Sequence, residues 1–316
     1  MARRKDSPGK KTPLVLTVKK ELQKNWTLYL IVTLPLAYLI LFKYIPMYGV
    51  QIAFRDYNPT RTFFGSPWVG LKHFRRFMAQ PQFFNIIRNT VSISFYWLAT
   101  FPLPIVLALL LNYIPSRRFK KTVQMASYAP YFISTVVMAG IILRFLDDRS
   151  GIINLIRQAF GLDAVLFMAK PELFYHIYIW SGVWQSIGFS SVIYIASLAG
   201  VPPELHEAAI VDGAVIFQRI LHIDLPSLAP TISILLILAC GGILSVGYEK
   251  IFLLQNALNA TKSEVISTYV YKVGLQSVVP QFSFAAAIDL FVSAINVIIL
   301  IIVNRAADRL SGSSLF

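Results

Sequence analysis

The residues whose types and spacing could support a reaction are few, and each arrangement fails at one position. His206-Glu207 opens the H-E-x-x-H pattern that sets two zinc-binding histidines on one helical face, but Ile210 stands where the second histidine belongs. Gly65 and Gly70 have the glycine spacing of a phosphate-cradling loop, yet Leu71-Lys72 follows and no buried strand precedes them. His73, His176 and His222 have no ligand spacing, and no acid–histidine pair marks one of the many serines as a nucleophile. No metal, no catalytic residue and no nucleotide held by this chain are expected. His206 reads as a surface histidine.

What remains is a shaped polar interval, Glu204–Pro230, in an otherwise apolar second half. Pro202 and Pro203 can open a helix, because a first-turn proline loses no intrahelical hydrogen bond. Glu204 and Glu207 lie in its first turns, where the helix dipole favours negative charge. Ala208 and Ala209 form helix readily and leave little side chain in the way of another surface. Gly213 fits a helix C-cap. A second short helix is expected from Ala214 to Leu225, with Phe217, Ile220, Leu221 and Leu225 on one side, stopped by Pro226. The product is a helix–turn–helix bracket with a small, acid-tipped face.

The elements that must hold this bracket are membrane spans. The chain has 316 residues, 56% of them hydrophobic, a formal charge of +14 and a mean hydropathy of +0.62. Soluble domains carry less apolar residue and do not separate long uncharged runs by short basic stretches. Cys240, the only cysteine, can form no disulfide within the chain. The excess positive charge sits largely before residue 27 and in Arg117–Lys121, flanking apolar runs, so it orients the chain in a bilayer and does not signal nucleic acid.

The uncharged runs predict an all-α fold of six spans at about 28–48, 88–111, 123–146, 174–200, 231–254 and 282–303, with the bracket at 201–230 between the fourth and fifth. A basic segment, 1–27, precedes them. Its part Leu14–Trp26 suits either a short surface helix or a solvated tail, and no cleavage site follows Ile40-Leu41-Phe42. A tail, 305–316, follows the last span. Pro35 is expected to kink the first span, and Trp184-Gln185 with Gly188 to interrupt the fourth. Six spans put both termini on one side, expected to be cytoplasmic, together with Arg117–Lys121 and the bracket. Gly49–Asn85, with a short helix near Leu71–Met78, Asp147–Leu173 and Gln255–Gln281 then face outward.

Glu207-Ala208-Ala209, Gly213, Ile223 and Leu225-Pro226, with Asp212 and Ala214, resemble the EAA motif of permease subunits of binding-protein-dependent ABC importers. The alternative for these residues is an amphipathic hairpin between spans. The resemblance implies a type I importer permease whose bracket is a cytoplasmic coupling helix seated in an ATPase subunit. Glu207, Ala208, Ala209, Asp212, Gly213, Leu225 and Pro226 would be its coupling residues. It also implies a second permease subunit, expected to be a homologous partner, two ATPase subunits that bind ATP and Mg, an external solute-binding protein, and a bacterial inner membrane as the site. Phe42–Gly49 through Asn58-Pro59, and Ser66–Leu71, are similar to stretches of polysaccharide permeases of the polygalacturonan and alginate type. That similarity covers nearly the whole chain and implies an oligo- or polysaccharide, uronates being the preferred class. A peptide or amino-acid importer, a secondary transporter and a membrane enzyme remain the alternatives.

Polar groups inside spans are costly and are candidates for a solute route. Trp184 and Gln185 in the fourth span qualify, with Gly247, Tyr248 and Glu249 at the end of the fifth, and Asp289 and Asn296 in the sixth. In carbohydrate permeases that the chain resembles, the fifth-span stretch lines the route. The alternative for each is hydrogen bonding between helices or anchoring at the interface.

Overall fold

The structure is a computed structural model that describes residues 23–60 and 65–311. Residues 1–22, 61–64 and 312–316 lie outside the described residues, among them most of the expected basic N-terminal segment and part of the loop expected to face outward. Two units make up the chain, Met1–Ile52 and Ala53–Phe316. No strand occurs among the described residues beyond a single bridge between Arg55 and Trp68.

The first unit is built on α1 (Trp26–Leu39), continued by a π-turn at Ile40–Tyr44 and by Ile45–Met47. Apolar residues occur all round it and none is buried. Such a helix suits lipid on every side. Pro35 is accommodated inside α1. The π-turn precedes Pro46, and there the ring would otherwise meet the carbonyl one turn back.

The second unit contains α2 (Lys72–Met78), α3 (Phe83–Ala99), α4 (Pro102–Asn112), α5 (Arg117–Tyr128), α6 (Thr135–Phe145) and α7 (Ile152–Ala159). Next come α8 (Pro171–Leu198), α9 (Pro203–Val211), α10 (Ile216–Arg219) and α11 (Leu225–Gly241). The last are α12 (Tyr248–Leu254), α13 (Ala260–Ser263), α14 (Ile266–Tyr271) and α15 (Phe282–Ser311). Among the described residues of the whole chain, four helical stretches are long and apolar enough to cross a membrane, and six if each of two bent pairs counts as one span.

Several elements differ from the sequence expectation. Arg117–Lys121 is not a loop but the first turns of α5, capped by Ser116, whose Oγ accepts from the Phe119 N–H. The expected third span, 123–146, is formed by α5 and α6 at 103°, broken after Pro130 where Ser134 caps a new helix. Trp184, Gln185 and Gly188 do not interrupt the fourth span, since α8 is continuous over 28 residues. Gly188 is buried there because α8 meets the backbone of α5. A methyl group at Gly188 would lie 2.1 Å from the Ser127 carbonyl oxygen. The fifth span starts earlier than expected and α11 ends at Gly241, leaving 242–247 non-helical. The tail residues 305–311 continue α15.

Three apolar cores hold the second unit. Ile93, Met138, Phe174, Ile179, Ile251 and Leu254 join α3, α6, α8 and α12. Phe77, Ile86, Ile266, Phe284 and Ile288 join α2, α3, α14 and α15. Ile105, Ala108, Tyr194, Leu198 and Leu228 join α4, α8 and α11, directly beside the bracket.

Candidate functional site

The bracket is α9, a left-handed turn and α10. At the C-terminus of α9 the Ala214 N–H donates to the Ala209 carbonyl at 2.8 Å, and the Gly213 N–H donates to the Ile210 carbonyl at 3.0 Å. These paired bonds form a Schellman closure, which needs a left-handed residue at Gly213, where φ is +78°. Gln218 Oε1 accepts from the Val215 N–H at 2.8 Å and starts the second helix. That helix begins at Ile216, later than expected, and Pro226 does not stop it. A π-turn at Ile220–Asp224 precedes Leu225-Pro226, repeating the arrangement seen before Pro46, and the helix runs on into the membrane.

Glu207, Ala208, Asp212, Gly213 and Pro226 are exposed, and Ala209 and Leu225 are partly so. Around them Leu205, Ile210, Val215 and Ile216 are also exposed, with Val211 and Phe217 at 87% and 67%. A cavity of about 300 Å³ opens between the two helices, bordered by Ala209, Asp212, Gly213, Arg219 and His222.

Under this surface lies a charge with no solvent exposure. Asp224, the residue between Ile223 and Leu225-Pro226, accepts a 2.6 Å hydrogen bond from the Tyr113 hydroxyl at the end of α4. Its other oxygen lies 3.4 Å from Nε2 of His206 on α9. The Arg219 guanidinium stacks over the Tyr113 ring at 5.3 Å. Burial, and then the hydrogen bond to Asp224, push the Tyr113 hydroxyl up to about 12. His206 is therefore not a surface histidine. It faces a buried carboxylate, and such a group must be paired to stay folded.

The route candidates do not converge on one place. Gln185 borders a cavity of about 240 Å³ with Trp97, Tyr131, Tyr178, Gly182 and Lys250. Gly247 borders an adjoining space of about 400 Å³ that shares Trp97 and Tyr178. Trp184, one residue before Gln185, is turned about 100° from it around the helix axis and is exposed on another face of α8. Tyr248 stacks on Tyr271 at 5.0 Å. Glu249 and Asp289 are exposed. Asn296 is buried, accepts from the Leu244 N–H at 3.1 Å and donates to Ser245 Oγ at 2.9 Å, holding the non-helical stretch after α11.

Residues 78–312 match the family described as binding-protein-dependent transport system inner membrane component. The chain belongs to that family. Among relatives of this permease, the polygalacturonan/rhamnogalacturonan transport system permease protein YteP of Bacillus subtilis is 40% identical over 92% of this chain and 90% of its own length. The arabinooligosaccharides transport system permease protein AraP of the same organism is 29% identical over 88% and 86%. Among solved structures, a chain of a bacterial ABC transporter involved in the import of the acidic polysaccharide alginate is 36% identical. It covers 93% of this permease and 99% of that chain, with a TM-score of 0.86. The same transporter class is also known in complex with an alginate pentasaccharide-bound periplasmic protein, again at a TM-score of 0.86. The permease fold, nearly all helical, is thus the expected one.

Sequence reasoning missed Asp224, Tyr113, Tyr178, Trp97 and Gly182 of this permease. Asp224 carried one available signal, an acid inside the apolar run that leads into the fifth span. The others become visible only when α3, α4 and α8 are packed.

Proposed function

We propose that this permease moves oligo- or polysaccharide of the acidic, uronate-bearing class across a bacterial inner membrane by alternating access driven by ATP. The observation that carries this reading is the likeness to the alginate importer subunit, at 36% identity and a TM-score of 0.86 over 93% of the chain. The 40% identity to a permease named for polygalacturonan supports the same sugar chemistry. A neutral oligosaccharide is the second reading, favoured by the relative named for arabinooligosaccharides.

In this reading the termini, Arg117–Lys121 and the bracket are cytoplasmic. The exposed apolar side chains of Leu205, Ile210, Val211, Val215 and Phe217 form a patch that water does not favour and that a partner would cover. An ATPase subunit holding ATP and Mg is that partner. Glu207 bonds to its groove, Ala208 and Ala209 allow close approach, and Gly213 sets the angle to α10, with Asp212, Leu225 and Pro226 completing the bracket. Two ATPases, a second permease homologous to this one and an external binding protein complete the importer. When the ATPases close they push α9, and the His206–Asp224–Tyr113 contacts carry the push to α11 and α4.

A mild-detergent pull-down from native cells, with partners identified by mass, tests this. An ATPase, a second permease and a sugar-binding protein that takes galacturonate trisaccharide are the expected outcome. Recovery of the chain alone after crosslinking would remove the importer assembly. A binding protein that takes neutral trisaccharides in preference would remove the uronate class.

A further inference from the structure

We propose that Lys250 is a carboxylate-binding residue in the solute route, pairing its ammonium with the uronate carboxyl of the sugar that passes the cavity between α3, α8 and α12. The inference rests on the uronate reading above and assigns the charge recognition to one side chain.

Lys250 sits in the first turn of α12, just after the non-helical stretch 242–247. Its Nζ donates to the Tyr178 carbonyl at 3.1 Å and lies 5.1 Å from the centre of the Tyr178 ring. Among the described residues no carboxylate lies within ion-pair distance of it. A partly buried ammonium without a counter-charge is costly, which makes Lys250 a candidate for binding a charged ligand. One carbonyl and one ring satisfy only part of a group with three donors.

The surroundings fit a sugar acid. Trp97, Tyr131 and Tyr178 give the cavity aromatic walls, and Gln185 and Ser186 add polar edges. Rings of this kind pack against the apolar face of a pyranose, leaving its equatorial hydroxyls and carboxylate for polar groups. Gly182 keeps the space open. A methyl group there would lie 2.8 Å from Trp97 Cζ3 and 3.4 Å from Lys250 Nζ, so any larger residue would press the wall and the ammonium apart. Gln185 donates to the Ile133 carbonyl at 2.8 Å, which fixes its side chain at the rim and ties the break between α5 and α6 to this cavity. The adjoining cavity, sharing Trp97 and Tyr178, offers room for a second sugar unit. A lipid phosphate could also meet the ammonium, and the test separates the two sources.

The test uses the complete importer with its binding protein in proteoliposomes and galacturonate trisaccharide as probe. With saturating loaded binding protein, Lys250→Met is expected to lower maximal uptake by roughly tenfold or more. Lys250→Arg should restore most of it, with the yield of assembled complex unchanged in both. A water-soluble carbodiimide, which joins a carboxyl to an amine in contact with it and is itself hydrated to the urea, should couple the trisaccharide to the peptide carrying Lys250. Uptake by Lys250→Met equal to the wild type would overturn the inference. So would a loss that arginine does not restore together with no adduct at Lys250, which assigns the lysine to packing on Tyr178. An effect that follows the phosphatidylglycerol content of the vesicles and not the sugar would assign it to lipid and overturn it equally. Wild-type uptake of neutral arabinotriose with none of galacturonate trisaccharide would instead remove the uronate reading itself, and this inference with it.

Discussion

Tyr113 and Asp224 are 111 positions apart in the chain and share a 2.6 Å hydrogen bond beneath the bracket, with the carboxylate fully buried. The bond joins the end of α4 to the start of the fifth span, and His206 adds α9 to the same carboxylate. A hydrogen bond to a buried charge is worth about 1.5–3 kcal/mol, and removing the donor leaves the charge short of a partner. Tyr113→Phe is expected to lower the thermal stability of the purified complex by this order. It should also raise the ATP hydrolysed per sugar imported, because α9 then moves without carrying α4. His206→Ala should raise the same ratio with a smaller stability loss, since its contact is longer and partly exposed. Uptake coupling unchanged in both variants would reduce the cluster to packing.

At Gly213 the φ of +78° leaves a conformational test free of steric side effects, because nothing lies within 4 Å of where a Cβ would project. Gly213→Ala should cost about 1–2 kcal/mol of backbone strain alone, and asparagine, which tolerates the left-handed region, should cost less. The expected order of coupled uptake is Gly, Asn, Ala, with Gly213→Pro abolishing coupling while the protein still inserts. Glu207→Arg should do the same by reversing charge on the exposed face. Transport assays paired with ATPase rates check the order, and equal uptake in alanine and asparagine variants would argue against strain as the cause.

Gly188 tests a different constraint, the approach of α8 to α5. A methyl group 2.1 Å from the Ser127 carbonyl oxygen meets backbone, which cannot swing aside as a side chain can. Gly188→Ala should cost about 1–3 kcal/mol through forced backbone shifts. The measurement is the melting temperature of the solubilised complex, compared with Gly140→Ala, where a Cβ meets nothing within 4 Å. Equal melting temperatures would mean that the two helices separate at little cost.

The sequence carried the fold class because long apolar runs separated by basic turns have few physical solutions in a bilayer. It also carried the closure of α9, because Gly213 follows a helix-forming run and only a left-handed residue closes it in the Schellman manner. Pro226 misled. It reads as a stop, but an extra residue in the Ile220–Asp224 π-turn moves the clashing carbonyl away, and the helix continues. Near Pro130 the chain turns through 103° because Ser134 supplies a new N-cap four residues on. His206 looked solvated because it lies in an amphiphilic stretch with polar neighbours, and Asp224 was passed over although it stands between Ile223 and Leu225. Their burial depends on Tyr113, whose position no local pattern reveals. That Gln185 of α8 and Lys250 of α12 border one cavity is hidden from the sequence for the same reason.

The loop before α2 carries a pH dependence whose direction follows from Asp56. Its carboxylate takes a 2.6 Å bond from Lys72 and lies 3.0 Å from Nε2 of His73, and the Lys72 bond above all holds it below the usual carboxylate range. A depressed folded-state value means that the stabilisation is complete above the ordinary carboxylate value of 3.8 and is lost as pH falls through the lower folded value. The loop's Arg55–Trp68 bridge, with Trp68 stacked on Phe54 at 5.4 Å, should therefore stay ordered from neutral pH down to about 4 and loosen below it. Backbone exchange at Asp56 and Val69, whose N–H groups donate to Pro67 and Phe54, reads this directly. Asp56→Asn should flatten the acid limb and raise exchange at neutral pH, the effect being small because both charged groups are partly exposed. An acid limb that persists in Asp56→Asn would place the titration on another carboxylate.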